Sequence, residues 1–170
     1  MADSPRIEDL RRRVQKDPAS IAFAQLAEEC RRAGRHEEAV DVCRSGLQRH
    51  PGYHSARVTL GRSLLQLGRL DEAQLEIERV LQTARQNLAA IRALAEIHHR
   101  RGALAEAIAQ YRVALSLAPN DPELEWTIGD LSSTLARAAD VRDRYRALSQ
   151  LTALEQWLAA LHVTRAQRRA

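Results

Sequence analysis

The chain has 170 residues, 45% hydrophobic and 28% charged, enough apolar surface for one folded domain, so composition excludes disorder. Aromatics make up only 4%, so the core must be mainly Ala and Leu, which favours closely approaching helices over a sheet-rich fold. The net charge of +4 is carried almost wholly by arginine, Lys16 being the one lysine, and two cysteines, Cys30 and Cys43, are too few for a disulfide framework.

No segment reaches the roughly 18 apolar residues of a membrane span, and "MADSPRIEDLRRR" lacks the apolar run of a signal peptide. A soluble, cytoplasmic protein is expected. The first element is a helix over 4–18, with Ser4 as cap, Pro5 at the first helical position and Ile7, Leu10 and Val14 as one stripe.

A 34-residue period follows. "RRAGRHEEA" (31–39), "LQLGRLDEA" (65–73) and "HRRGALAEA" (99–107) place glycines at 34, 68 and 102 and alanines at 39, 73 and 107. Units spanning 20–53, 54–87 and 88–121 each read as two helices. The glycine ends the first, because only glycine adopts the left-handed cap cheaply. Acidic residues (Glu37, Glu38; Asp71, Glu72; Glu106) then suit the positive N-terminus of the second. Pro51 and Pro119 stop the second helix; Arg85 stands at the equivalent position of the middle unit.

The frame continues as a degenerate fourth unit, 122–149. Ile128 fits the leucine position of the first helix (Leu26, Leu60, Leu94), Gly129 the small-residue position after it and Val141, Tyr145 and Leu148 the apolar ones of the second helix, but Ala136 replaces the turn glycine. A tight turn is expected near 138–140, with Asp140 as cap. A helical extension, 150–170, carries Leu151, Leu154, Leu158 and Leu161 on one side with Trp157 at the edge, following Leu148. It can cap the repeats, pair with a second copy or a partner helix, or lie on a membrane surface.

These phased residues resemble the tetratricopeptide repeat, a 34-residue helix–turn–helix unit. The family's aromatic at position 4 is matched by Phe23, with Arg57 and Ile91 in the later units; position 11 is Cys30, Leu64 and His98; position 24 is Cys43, Ile77 and Tyr111; position 27 is Gly46, Val80 and Ala114. The resemblance covers 20–121 and implies an all-α, right-handed superhelical solenoid with helical caps, whose first-type helices line a groove. Carried onto this chain, the lining includes Glu28, Arg31 and Arg32; Val58, Arg62 and Leu65; Arg92, Glu96 and His99; and Trp126. Trp126 is either an aromatic anchor on that face or packed beneath the last helix. In one well-known mode of the family, Lys and Asn clamp the C-terminal carboxylate of a chaperone. The equivalent positions here are Ala24, Glu28, Thr59, Ala89 and Ala93, so that clamp is absent.

The remaining chemistry-bearing residues have bland readings. His98 falls at a core position, and its neighbour His99 points about 100° away along a helix, so the two share no metal by themselves. His50 and His54 flank a loop as a fortuitous pair. Cys30 and Cys43 read as buried inert thiols, with a redox switch as the alternative. No phosphate loop, nucleophile elbow or metal-ligand spacing appears, so no enzyme, cofactor or metal site is expected. The expected function is protein–protein interaction: a scaffold or adaptor gripping a partner segment with acidic and apolar residues, with a possible homodimer through the last helix. A class II secretion-chaperone-like role is one rival, although this chain lacks the aromatic-rich repeats of that class. A basic nucleic-acid-associated repeat protein is another, although aromatic platforms are missing and acidic residues are interleaved, so no nucleic acid is expected.

Overall fold

A computed structural model describes the backbone of residues 5–167 and the side chains of 5–158. The described residues form helices without strands: α1 (Pro5–Lys16), α2 (Ala22–Arg32), α3 (His36–Arg49), α4 (His54–Gln66), α5 (Leu70–Thr83), α6 (Leu88–Arg100), α7 (Leu104–Leu117) and α8 (Pro122–Gln167). A compact unit ends at Ile128; a second begins at Gly129, within α8.

In the first unit, α2/α3, α4/α5 and α6/α7 form three successive hairpins. Each turns at a glycine with φ of 75–76°. Two hydrogen bonds per turn close the outgoing carbonyls: Arg35 N–H to Cys30 O (2.8 Å) and Gly34 N–H to Arg31 O (3.0 Å), repeated at Arg69/Gly68 and Ala103/Gly102. This cap needs a left-handed residue, which explains the recurrence of glycine. Acidic side chains open α3, α5 and α7.

α1 starts on Pro5; Ser4 lies outside the described residues. Its stripe meets the first hairpin, Ile7 and Leu10 packing with Leu26, Cys30 and Ala39. Arg11 donates to Glu38 at 2.8 Å. The central core joins all three hairpins, from Phe23 through Leu64 and Ile77 to Ile97. Phe23, the chain's one phenylalanine, lies over Gly46, stacks on His50 (centroids 5.7 Å apart) and tilts against Tyr53 (5.8 Å).

The middle unit manages without its proline. α5 stops at Thr83, and Asn87 starts α6 by accepting the Ala90 N–H at 3.0 Å. Its side chain supplies the start signal that Arg85 cannot.

The fourth unit departs from expectation. No turn occurs near 138–140, and Asp140 caps nothing: α8 is continuous from Pro122 to Gln167. A Cβ on Gly129 would meet nothing within 4 Å, and Val141, Tyr145 and Leu148 are exposed instead of closing a hairpin. Without glycine or proline from 130 to 167, nothing in the local sequence stops a helix once begun. The segments expected as 122–149 and 150–170 therefore share one helix over the described residues.

Candidate functional site

The first-type helices are neighbours, α2 touching α4 and α4 touching α6. Two concavities lie along them. One, of about 450 Å³, includes Glu28, Arg32, Val58, Thr59 and Arg62. The other, of about 740 Å³, includes Arg31, Arg62, Leu65, Arg92, Glu96, His99 and Trp126. All ten residues expected along the groove border one or both. Tyr111 and Glu123 join the second without having been expected there. The sequence signal at Tyr111 is only its place at position 24 of the repeat, and Glu123 arrives because α8 begins beside Arg92 of α6, through Asp121.

Internal pairing occupies Glu28, Glu96 and Asp121. Glu28 takes both arms of Arg31 (Nε 2.9 Å, Nη2 2.7 Å), Arg32 Nε at 3.0 Å and the Thr59 hydroxyl at 3.2 Å. The Arg31 fork, more than any other contact, holds the Glu28 carboxyl down at about 2, against the upward pull of partial burial. Glu96 accepts from Arg100 Nε (2.9 Å) and the Tyr111 hydroxyl (3.1 Å), with His99 Nδ1 at 3.8 Å. Burial, helped by the Glu96 charge, raises the Tyr111 phenol above its ordinary pKa. Arg100 also reaches back to Leu65 O at 2.7 Å, tying α6 to α4. Arg92 pairs with Asp121, whose other oxygen caps α8 by accepting the N–H groups of Glu123 (3.1 Å) and Leu124 (3.2 Å).

Arg62 differs. Its side chain makes no hydrogen bond or ion pair among the described residues, yet it borders both concavities. Burial lowers its pKa first; Arg31, Arg92 and Arg32 lower it further, opposed by Glu28. It is a cation among cations.

The apolar members divide. Val58 and Leu65 are nearly buried and form floor. Trp126 is 72% exposed, which overturns packing beneath the last helix. In α8, Leu151, Leu154, Trp157 and Leu158 are all exposed; the side chain of Leu161 lies outside the described residues.

His98 is half-buried, not a core residue, because the turn at Gly102 leaves the end of α6 near solvent. His50 and His54 have separate structural partners: His50 Nε2 donates to Ala19 O at 2.6 Å, and His54 Nε2 lies 2.8 Å from the Thr83 hydroxyl. Cys30 and Cys43 are buried in different clusters, and burial pushes their thiols up to about 11 and about 12, so neither forms a nucleophilic thiolate near neutrality.

Two family models, both described as tetratricopeptide repeat, match residues 31–97 and 90–125, together more than half of the chain. No curated protein matches it. Among solved structures, MamA aligns with TM-score 0.69 and 16% identity, over 76% of this chain and 77% of that one. TTC0263, a thermophilic TPR protein in Thermus thermophilus, aligns with TM-score 0.64 and 26% identity, over 74% and 70%. The first TPR domain of Spaghetti (RPAP3), bound to an HSP90 peptide, aligns with TM-score 0.65 and 18% identity, over 70% and 94%. The matched ranges take in the three glycine-capped turns at Gly34, Gly68 and Gly102, and the chain belongs to the tetratricopeptide-repeat family.

Proposed function

We propose that this chain is a protein-interaction module, a scaffold or adaptor that holds an extended partner segment along α2, α4 and α6. The observation that carries the reading is a pre-formed concave face where Glu28 and Glu96 are internally paired, leaving Arg62 without an acid partner among the described residues and Trp126 exposed. A pre-formed face loses little backbone freedom on binding, and an exposed aromatic is a typical anchor. The RPAP3 domain, of similar fold, holds a peptide, which supports a peptide as occupant here. Ala24, Ala89 and Ala93 stand where a carboxylate clamp needs polar side chains, so that domain's chaperone tail is not carried over. A binding role, not catalysis, suits the site. Two buried free thiols suit a reducing compartment, in keeping with a cytoplasmic protein. Among the described residues no helix is long and apolar enough to cross a membrane.

Immobilised protein should capture a defined set of partners from a lysate, and Arg62→Glu with Arg92→Glu should deplete that set severalfold. Capture of the same proteins at the same yield by the double variant would sink groove binding.

The distal part of α8 supports a second contact. Leu148, Leu151, Leu154 and Leu158 repeat at steps of three and four and are each at least half exposed. A helix without tertiary packing is marginal in water, so a mate stabilises it. A second copy is the occupant we propose. Light scattering should give a dimer mass for the native chain and a monomer mass for Leu151→Glu, Leu154→Glu, Leu158→Glu. Equal masses would exclude pairing through this face.

A further inference from the structure

We infer that the groove selects a segment carrying an Asp or Glu, seated at Arg62, and a bulky apolar residue, seated against Trp126. This deepens the binding reading above and rests on it.

Charge complementarity is the first argument. Arg62 borders both concavities, so one side chain serves the whole groove. No acid pairs with it among the described residues. Glu28 is occupied by Arg31, Arg32 and Thr59, and Glu96 by Arg100 and Tyr111. Asp121 is occupied by Arg92 and by the start of α8. A guanidinium is a planar fork that matches a carboxylate with two parallel hydrogen bonds. Arg31, Arg32 and Arg92 border the concavities with it, and of its charged neighbours Glu28 alone opposes them, so an incoming carboxylate is attracted while an incoming cation is repelled.

The far side of the second concavity differs in kind. Its remaining acid, Glu123, makes no side-chain hydrogen bond or ion pair among the described residues, and its field acts on Tyr111, where a second acid would be repelled. Beside it stand exposed Trp126 and a floor of Leu65 and Ala93. A neutral apolar side chain is what that end accepts: it covers the indole and brings no charge to Glu123.

The test is selection from a random octapeptide display library on the full-length protein, on Arg62→Glu and on Trp126→Ala. Arg62 makes no hydrogen bond or ion pair among the described residues and Trp126 is exposed, so Trp126→Ala should unfold at the native denaturant midpoint and Arg62→Glu, relieved of repulsion among the arginines, at or above it. The native protein should enrich peptides holding an acid and a bulky apolar residue together. Arg62→Glu should lose the acidic preference or exchange it for Lys and Arg, and Trp126→Ala should lose only the apolar one. A resynthesised peptide should bind Arg62→Gln about tenfold more weakly than the native chain. Enriched peptides without acids, or an acidic preference that survives Arg62→Glu, would overturn this inference while leaving groove binding intact. No enrichment on the native protein would overturn both.

Discussion

Replacing Gly46 by alanine should destabilise the chain by about 3 kcal/mol, the upper end of the usual cost of overpacking a core. The added Cβ would lie 2.0 Å from Phe23 Cδ2, 2.2 Å from Cγ and 2.4 Å from Cε2. The ring has nowhere to go, since it is buried and held between His50 and Tyr53. The family resemblance puts alanine at this position; here glycine stands there because this repeat alone carries the phenylalanine across from it. Urea midpoints would measure the loss, and a double-mutant cycle isolates its cause. Leucine at position 23 is smaller, so Gly46→Ala should cost at least about 1 kcal/mol less in a Phe23→Leu background. Additive costs would show that the clash lies elsewhere.

Acid should weaken the fold through Glu28. Its folded pKa of about 2 lies below the ordinary 4.5, so its contribution is complete above about 4.5 and is lost as pH falls through about 2. Glu28→Gln should therefore lower stability near neutrality by about 1–2 kcal/mol, a range discounted because solvent reaches the pair. It should also flatten the stability–pH curve between about 4.5 and 2. A native-like slope in that window, from denaturant melts at successive pH values, would remove Glu28 as its source. Because Arg31 and Arg32 lose their shared partner in that variant, the side of the groove next to Arg62 becomes more positive.

The hairpins were legible because their signals are local. A left-handed cap requires glycine, an acid suits the helix start that follows, and three copies in phase leave no other register. The same phase places Arg31, Arg62 and Arg92 along one side of α2, α4 and α6, since helical spacing fixes direction. Position alone could not separate the three. Arg31 is bound to Glu28 within its own helix, Arg92 to Asp121 at the start of α8, and of the three only Arg62 has no partner among the described residues. That outcome depends on which acids the fold brings near each arginine, and repeat phase carries no record of it.

The same limit explains the errors. The frame predicted a turn near 138–140 because it counted residues, whereas a turn persists only where a second helix packs back, and no close contact forms at Gly129. His98 fitted a core position by count, but its depth depends on what covers the end of α6. Sequence by itself determined the helices, their caps and the faces they present, because propensity and periodicity act within a few residues. Tertiary structure decided which charges are neutralised, which aromatic is exposed and where the repeats stop, because those depend on what distant segments bring into contact.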